Sequence, residues 1–189
     1  MARVASALLL VLAALAPARG QRPDIPDIDG HAQSPLRVAP GDAAHAIFVL
    51  AVDCPVSNRY APEMDRIVKE YAARRVRSFL VYADPGATPA RVRQHLAEFH
   101  RGLTGAPAII DKDYALTKAI GATVTPEAAV YAAAGRVYRG RIDDLYVSLG
   151  QARQAPTRRD LRLSLDAVIG GLTVPVPETR AVGCYIDVK

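Results

Sequence analysis

Two cysteines, Cys54 and Cys184, are the only thiols in this chain, and the first has neighbours that favour chemistry. It follows the apolar run Ala46 to Val52 and Asp53, and it precedes Pro55, a residue suited to the first position of a helix. A thiol at such a junction faces unpaired helical N–H groups and the positive end of the helix dipole, both of which favour thiolate. Asp53 acts in the opposite sense. A thiolate is the nucleophile of disulfide exchange and a ligand for soft metals, so the position admits either chemistry; a half-buried structural cysteine is the plain alternative.

Ser57 falls in the same first turn, where its hydroxyl can donate to a Cys54 thiolate or simply occupy a polar first-turn position. Arg59 offers charge to a thiolate or a substrate carboxylate, or else turns to solvent. Tyr60 reads as a packing residue. The histidines His31, His45, His95 and His100 are candidate third ligands to a thiolate-bound metal, but His95 and His100 lie five apart and share no helical face. Those two read as surface residues, and no metal and no cofactor is assigned.

The elements that would position Cys54 follow from pattern. Ala46 to Val52 lacks polar alternation, as a strand buried on both faces does. Tyr60, Met64, Ile67, Val68 and Tyr71 recur at helical spacing, which predicts a helix from Cys54 to about Arg75, with Pro62 kinking it. Arg77 to Ala83 reads as a strand, Thr88-Pro89 as the capped start of a helix to about His100, and Ala108 to Ile110 as a short strand. Asp113 is expected to cap a brief helix ending at Gly121. Thr125-Pro126 leads into a strand from Glu127 to Ala132, which turns at Ala134-Gly135 and pairs with Val137 to Arg141.

Asp143 to Ala155 reads as a long loop, and Thr157 as the cap of a last helix ending at Gly170-Gly171. The dense charge at Arg139, Arg141, Asp143 and Asp144 carries no assigned chemistry. Before the first core strand, Asp29-Gly30 marks a turn and a small hairpin. The order predicts an α/β fold, a mixed central sheet flanked by helices.

The first twenty residues have an early Arg3, an apolar run from Val4 to Leu15 and Ala16-Pro17-Ala18, the pattern of a secretory signal peptide. Its removal takes away Arg3 and Arg19 and no acid, so the net charge falls from +5 to +3. No basic block interleaved with aromatics is present, which excludes a nucleic-acid role. The expected organisation is a signal peptide over 1–20, an N-terminal extension over 21–44, a main domain over 45–172 and an extended tail over 173–189. A mature chain without a membrane span, exported to the periplasm or beyond, meets an oxidising compartment, where an isolated cysteine pair reads as one disulfide, static or switching.

A cysteine after the first core strand and a Thr-Pro before a late hairpin resemble the thioredoxin-like superfamily. The likeness is closest to its redoxin branch, which includes alkyl hydroperoxide reductase and thiol-specific antioxidant-like proteins and exported thiol-disulfide oxidoreductases. Cys54-Pro55-Val56-Ser57 stands where that family carries Cys-x-x-Cys, Pro62 matches its kink proline, and Val124-Thr125-Pro126 matches a loop with a cis proline facing the active thiol. Ile28-Asp29-Gly30-His31 resembles the N-terminal hairpin of exported members. The resemblance implies a thioredoxin-like domain that acts on protein thiols and disulfides, with Thr125 and Pro126 beside an extended substrate segment.

The departures narrow the chemistry. Ser57 replaces the second cysteine, so no dithiol closes within the first turn. The chain has no Trp, so the Trp-Cys signature of many reductases is absent. Ile47 and Ala51 occupy the two upstream positions of the peroxidase Pro-x-x-x-Thr/Ser-x-x-Cys pattern, which argues against peroxide reduction. A tail running from Gly171 spans up to about 45 Å when extended, enough to bring Cys184 to Cys54 as a resolving thiol. Two other classes stay open at this point: Cu(I) held by thiolates, although Asn58 stands where related copper chaperones carry their second cysteine, and a non-catalytic module binding partner segments beside Pro126.

Overall fold

The computed structural model describes residues 24–188, so the signal-peptide reading lies outside the described residues. In chain order the elements are β1 Ile25–Pro26, β2 Ala32–Gln33, β3 Ala44–Leu50, α1 Pro55–Ala72, β4 Val76–Tyr82, α2 Pro89–Phe99, β5 Ala108–Ile110 and α3 Ala115–Ile120. They continue with β6 Val124–Thr125, β7 Glu127–Ala132, β8 Gly135–Gly140, β9 Tyr146–Ser148, β10 Gln151–Ala152, α4 Asp160–Ile169 and β11 Cys184–Tyr185. The central sheet runs β5-β4-β3-β7-β8, with β3, β4 and β5 parallel and β7 and β8 antiparallel to their neighbours. This is the mixed α/β architecture expected from the sequence.

Every residue of β3 is buried, because the strand is central and covered on both faces. Ala46, Phe48 and Leu50 face α1 and α4 through Tyr60, Met64, Ile67, Leu161 and Leu165. Ile47 and Val49 face the other way, against Phe79, Leu116 and Ile120. The strand begins two residues earlier than the apolar run suggests, since Ala44 and His45 pair with Val76 and Arg77 of β4. Its polar intruder His45 is buried and satisfied by Pro35 O and the Asp42 carboxylate. Helix α1 runs unbroken through Pro62.

Several local expectations are corrected. Asp113 does not cap α3; Asp111 does the equivalent work, its carboxylate accepting from the amides of Leu116 and Thr117 and from the Thr117 hydroxyl. Thr157 is not the cap of α4, which starts after Arg159; it donates through both N–H and hydroxyl to Asp144 instead. The expected loop over 143–155 contains the β9–β10 hairpin. The N-terminal hairpin pairs Ile25 with Gln33 and Pro26 with Ala32 about Gly30, and leaves Leu36 and Val38 to pack on the sheet.

The tail does more than extend. It runs beside the edge strand β8, where Arg139 N donates to Pro177 O and Thr179 N donates to Arg139 O. It then reaches β6, where β11 pairs antiparallel and Ile186 N donates to Thr123 O. Two edges that would otherwise offer unpaired backbone groups are covered by the chain's own end.

Candidate functional site

Cys54 is the N-cap of α1, with extended backbone angles (φ −86°, ψ 109°) that let its own side chain turn back over the first helical amides. Its sulfur takes the place of the usual capping oxygen and accepts from Ser57 N at 3.4 Å. The thiol donates to Thr125 O at 3.0 Å. The Thr125–Pro126 peptide bond is cis. Cys54 is only 2% exposed.

Thr125 is also the docking point of the tail. In the β11–β6 ladder Cys184 lies directly opposite Thr125 and Tyr185 opposite Val124, so the side chains of Cys184 and Thr125 share one face. That places the Cys184 thiol beside Cys54, each within the other's electrostatic reach, with the Val56 amide near the Cys184 sulfur. The pair thus gathers at the first turn of α1. Both are reduced, with no bond between them. Gly183 makes this approach possible, since a Cβ there would stand 2.0 Å from Thr125 O.

The electrostatics separate the pair. Burial pushes the Cys54 thiol up, but the Cys184, Ser57 and Thr125 side chains, placed to donate to its thiolate, and the Ser57 amide outweigh it, and the net direction is down. Cys184 moves the other way, pushed up to about 11 by burial, by its hydrogen bond to Cys54 and by the Cys54 charge, against the Val56 amide. The first proton to leave the pair therefore comes from Cys54, and the proton on Cys184 stabilises the thiolate that results. Ser57 is fully buried, and its Oγ has no partner while Cys54 is protonated. Ionisation of Cys54 supplies that hydroxyl with an acceptor.

Asp53 and Arg59 stay outside. Asp53 is exposed and pairs with Arg91, so its opposition to the thiolate is largely neutralised. Arg59 is exposed and contributes to neither sulfur. Tyr60 packs in the core as expected and also donates to the Asp143 carboxylate at 2.6 Å. The charged residues at the end of β8 and just beyond it are architectural: Arg139 pairs with Glu127 and Glu178 and Arg141 with Asp160, while Asp144 holds the chain ahead of α4.

The surface reading of His95 and His100 is wrong. His45, His95 and His100 are buried, while His31 is exposed. The rings of His95 and His100 sit 5.7 Å apart because α2 ends at Phe99, and His100 leaves the helical path to turn back inward. Burial and the neighbouring His100 lower His95 to about 4, so it is neutral near pH 7. Its Nε2 meets Asn58 Oδ1 at 2.8 Å, its Nδ1 meets the Tyr82 hydroxyl at 3.0 Å, and Asn58 in turn donates to Val52 O. This chain braces the loop before Cys54. Among the described residues no three or more His, Cys, Asp or Glu side chains converge as a metal site.

Gly183 and the Tyr138–Thr179 contact (2.6 Å), which pin the tail beside Cys54, are features of the candidate site that the sequence pattern did not single out. The dipeptide Gly183-Cys184 was the available signal, since a glycine beside a reactive residue marks a close backbone approach. A cleft of about 870 Å³ lies between the tail and β8–β9, with Gly183 and Tyr185 in its wall. No described helix is long and apolar enough to cross a membrane.

No protein-family model matches this chain, and no curated protein sequence matches it. Solved structures do. A hypothetical protein from Sinorhizobium meliloti overlays with a TM-score of 0.71 at 24% identity, covering 88% of this chain and 90% of that one. An uncharacterized conserved protein from Geobacillus kaustophilus also gives 0.71, at 22% identity, with 89% and 90% covered. A secreted Mycobacterium tuberculosis disulfide oxidoreductase, described as homologous to E. coli DsbE, overlays at 0.51 and 14% identity, covering 83% of this chain and all of that one. At these identities the likeness is one of fold.

Proposed function

We propose, from the premise that this chain has the thioredoxin-like fold of its solved neighbours, that it is an exported thiol-disulfide oxidoreductase with Cys54 as the reactive thiol and Cys184 as its resolving partner. One observation carries the reading: the tail is paired in register with Thr125, so the second thiol meets the first from 130 positions along the chain, without a Cys-x-x-Cys. The Cys54 pKa is depressed by Cys184 while the tail is docked, and the contributions of the Ser57 and Thr125 side chains and the Ser57 amide do not depend on the tail, which supports it.

With the tail lifted, Cys54 thiolate attacks a substrate disulfide, forms a mixed disulfide and releases one substrate thiolate. The tail then returns. Cys184 gives up its proton to the departing side, its sulfur attacks Cys54 Sγ, and the second substrate thiolate leaves. Two electrons have passed from the dithiol to the substrate, and a Cys54–Cys184 disulfide remains. Thr125 and Pro126 offer the backbone edge for an extended substrate segment when β11 vacates it. The apolar run over residues 4–15 supports export, as does the secreted character of the Mycobacterium tuberculosis neighbour.

Insulin reduction by the wild type, Cys54→Ser and Cys184→Ser tests the assignment. Cys54→Ser is expected to abolish turnover, and Cys184→Ser to stall as a mixed disulfide on Cys54. Turnover unaffected by Cys54→Ser contradicts the reading. For export, the mass of the protein recovered outside the cytoplasm is expected to lack the leader, and an intact Met1 contradicts cleavage.

A further inference from the structure

Resting on that reading, we infer that the sulfur a reducing partner attacks is Cys184, the tail thiol, and that Cys54 is the leaving group. The two sulfurs of the pair differ in access. Cys54 is 2% exposed, enclosed by the first turn of α1, by Thr125, and by Cys184 itself. Cys184 is partly exposed and rides on a two-residue strand at the molecule's surface. Thiolate attack on a disulfide follows the line of the S–S bond from the side opposite the leaving sulfur. The enclosure of Cys54 leaves an attacking thiolate no open side, whereas the partly exposed Cys184 offers one.

Leaving-group chemistry points the same way. The sulfur that departs best is the one whose thiolate is better stabilised, and the Ser57 amide, the buried Ser57 hydroxyl and the Thr125 side chain all stand ready around Cys54. A partner thiolate forms a bond to Cys184 Sγ, the Cys54–Cys184 bond breaks, and its electron pair stays on Cys54 Sγ. The partner's second thiolate then attacks the partner sulfur in the mixed disulfide and leaves with it as the partner's own disulfide. Cys184 departs as thiolate and takes a proton from water. Two electrons have moved from the partner dithiol to the pair, and the tail has stayed docked throughout. The cycle is thus two-sided: substrates meet Cys54 with the tail lifted, and the reductant meets Cys184 with the tail in place.

The test uses the oxidised full chain and glutathione as the probe. The oxidised starting protein is first checked for the Cys54–Cys184 disulfide by intact mass; its absence would overturn the proposed function itself, before any probe is added. Glutathione is then mixed in, the reaction is stopped with acid at successive short times, and the adduct is located by peptide mapping. At least tenfold more glutathione is expected on Cys184 than on Cys54; an equal or reversed distribution overturns the inference. If re-closure erases the adduct, the oxidised full chain is reacted with glutathione in the presence of excess iodoacetamide, which traps the freed sulfur, and the two cysteines are mapped. Glutathione on Cys184 with carbamidomethyl on Cys54 is then expected in at least tenfold excess over the reverse arrangement, and an equal or reversed distribution overturns the assignment.

Discussion

The two sulfurs sit on parts of the molecule with opposite mechanical character. Cys54 opens a helix whose side chains Tyr60, Met64, Ile67, Val68 and Tyr71 are buried against the central sheet, each contributing roughly 1.5–3 kcal/mol. Cys184 rides on a strap held at β8 and at β6 by a handful of hydrogen bonds, each contributing about 0.5–1.5 kcal/mol net. The strap can therefore lift while the helix stays put. Under the proposed function, the contrast means that a resolving thiol need not be near its partner in sequence: one sulfur is fixed in the core and the other is carried on the strap.

The largest expected effect sharpens the rigid side of this contrast. His95 ties α2 to Asn58 of α1 and to Tyr82 of β4, and its folded pKa of about 4 lies below the ordinary value of 6.5. Between those values the unfolded chain binds the extra proton, so the stability from neutral His95 is full above pH 6.5 and is lost as pH falls towards 4. The loss is on the order of 3 kcal/mol. Urea unfolding from pH 7 to 4 is expected to show a shallower acid decline in His95→Gln than in the wild type; identical declines would mean that His95 does not brace the site.

Next comes the strap. A Cβ at Gly183 meets the Thr125 backbone, so Gly183→Val is expected to expel β11 and disfavour the Cys54–Cys184 disulfide at least tenfold, about 1.4 kcal/mol. The melting temperature of the reduced protein is expected to change little. A large fall in melting temperature would erase the distinction between strap and core. Smaller again, Ser57→Ala removes one donor to the thiolate and is expected to raise the Cys54 pKa, read as a shift of the 240 nm thiolate absorbance towards higher pH in the reduced protein; no shift would leave the Ser57 hydroxyl without a role. The smallest expected effect is Arg59→Ala, within about 0.5 kcal/mol in stability and without change in thiol reactivity, because its side chain lies outside the site. A marked loss of reactivity there would restore Arg59 to it.

What was legible in the sequence is what local chemistry dictates. The unbroken apolar run of β3, the Pro55 helix start and the helical spacing from Tyr60 to Tyr71 are short-range signals, and they give the central strand, the helix and the cap that hold Cys54. The cis bond at Pro126 was reached only through resemblance, since nothing in Val124-Thr125-Pro126 alone selects it. The histidines failed because helical spacing places His100 on the face where α2 would carry it, whereas the helix ends one residue earlier and the ring turns inward to Asp65. The pairing of Cys184 with Thr125 was open to chain length but not fixed by it. It depends on contacts 41 and 38 positions apart, from Thr179 to Tyr138 and to Arg141, and on a glycine small enough to lie on a carbonyl. The β9–β10 hairpin is two short, mostly exposed strands with too little apolar alternation to announce itself.

The central claim is that these two thiols form an exchangeable couple. The most direct measurement equilibrates the purified protein in glutathione redox buffers, alkylates it and weighs it intact. A Cys54–Cys184 disulfide opening with a midpoint between about −270 and −120 mV, the range of working oxidoreductases, is the predicted result. Two free thiols under oxidising conditions, or a bond that resists reduction below about −300 mV as a structural staple does, would contradict the account.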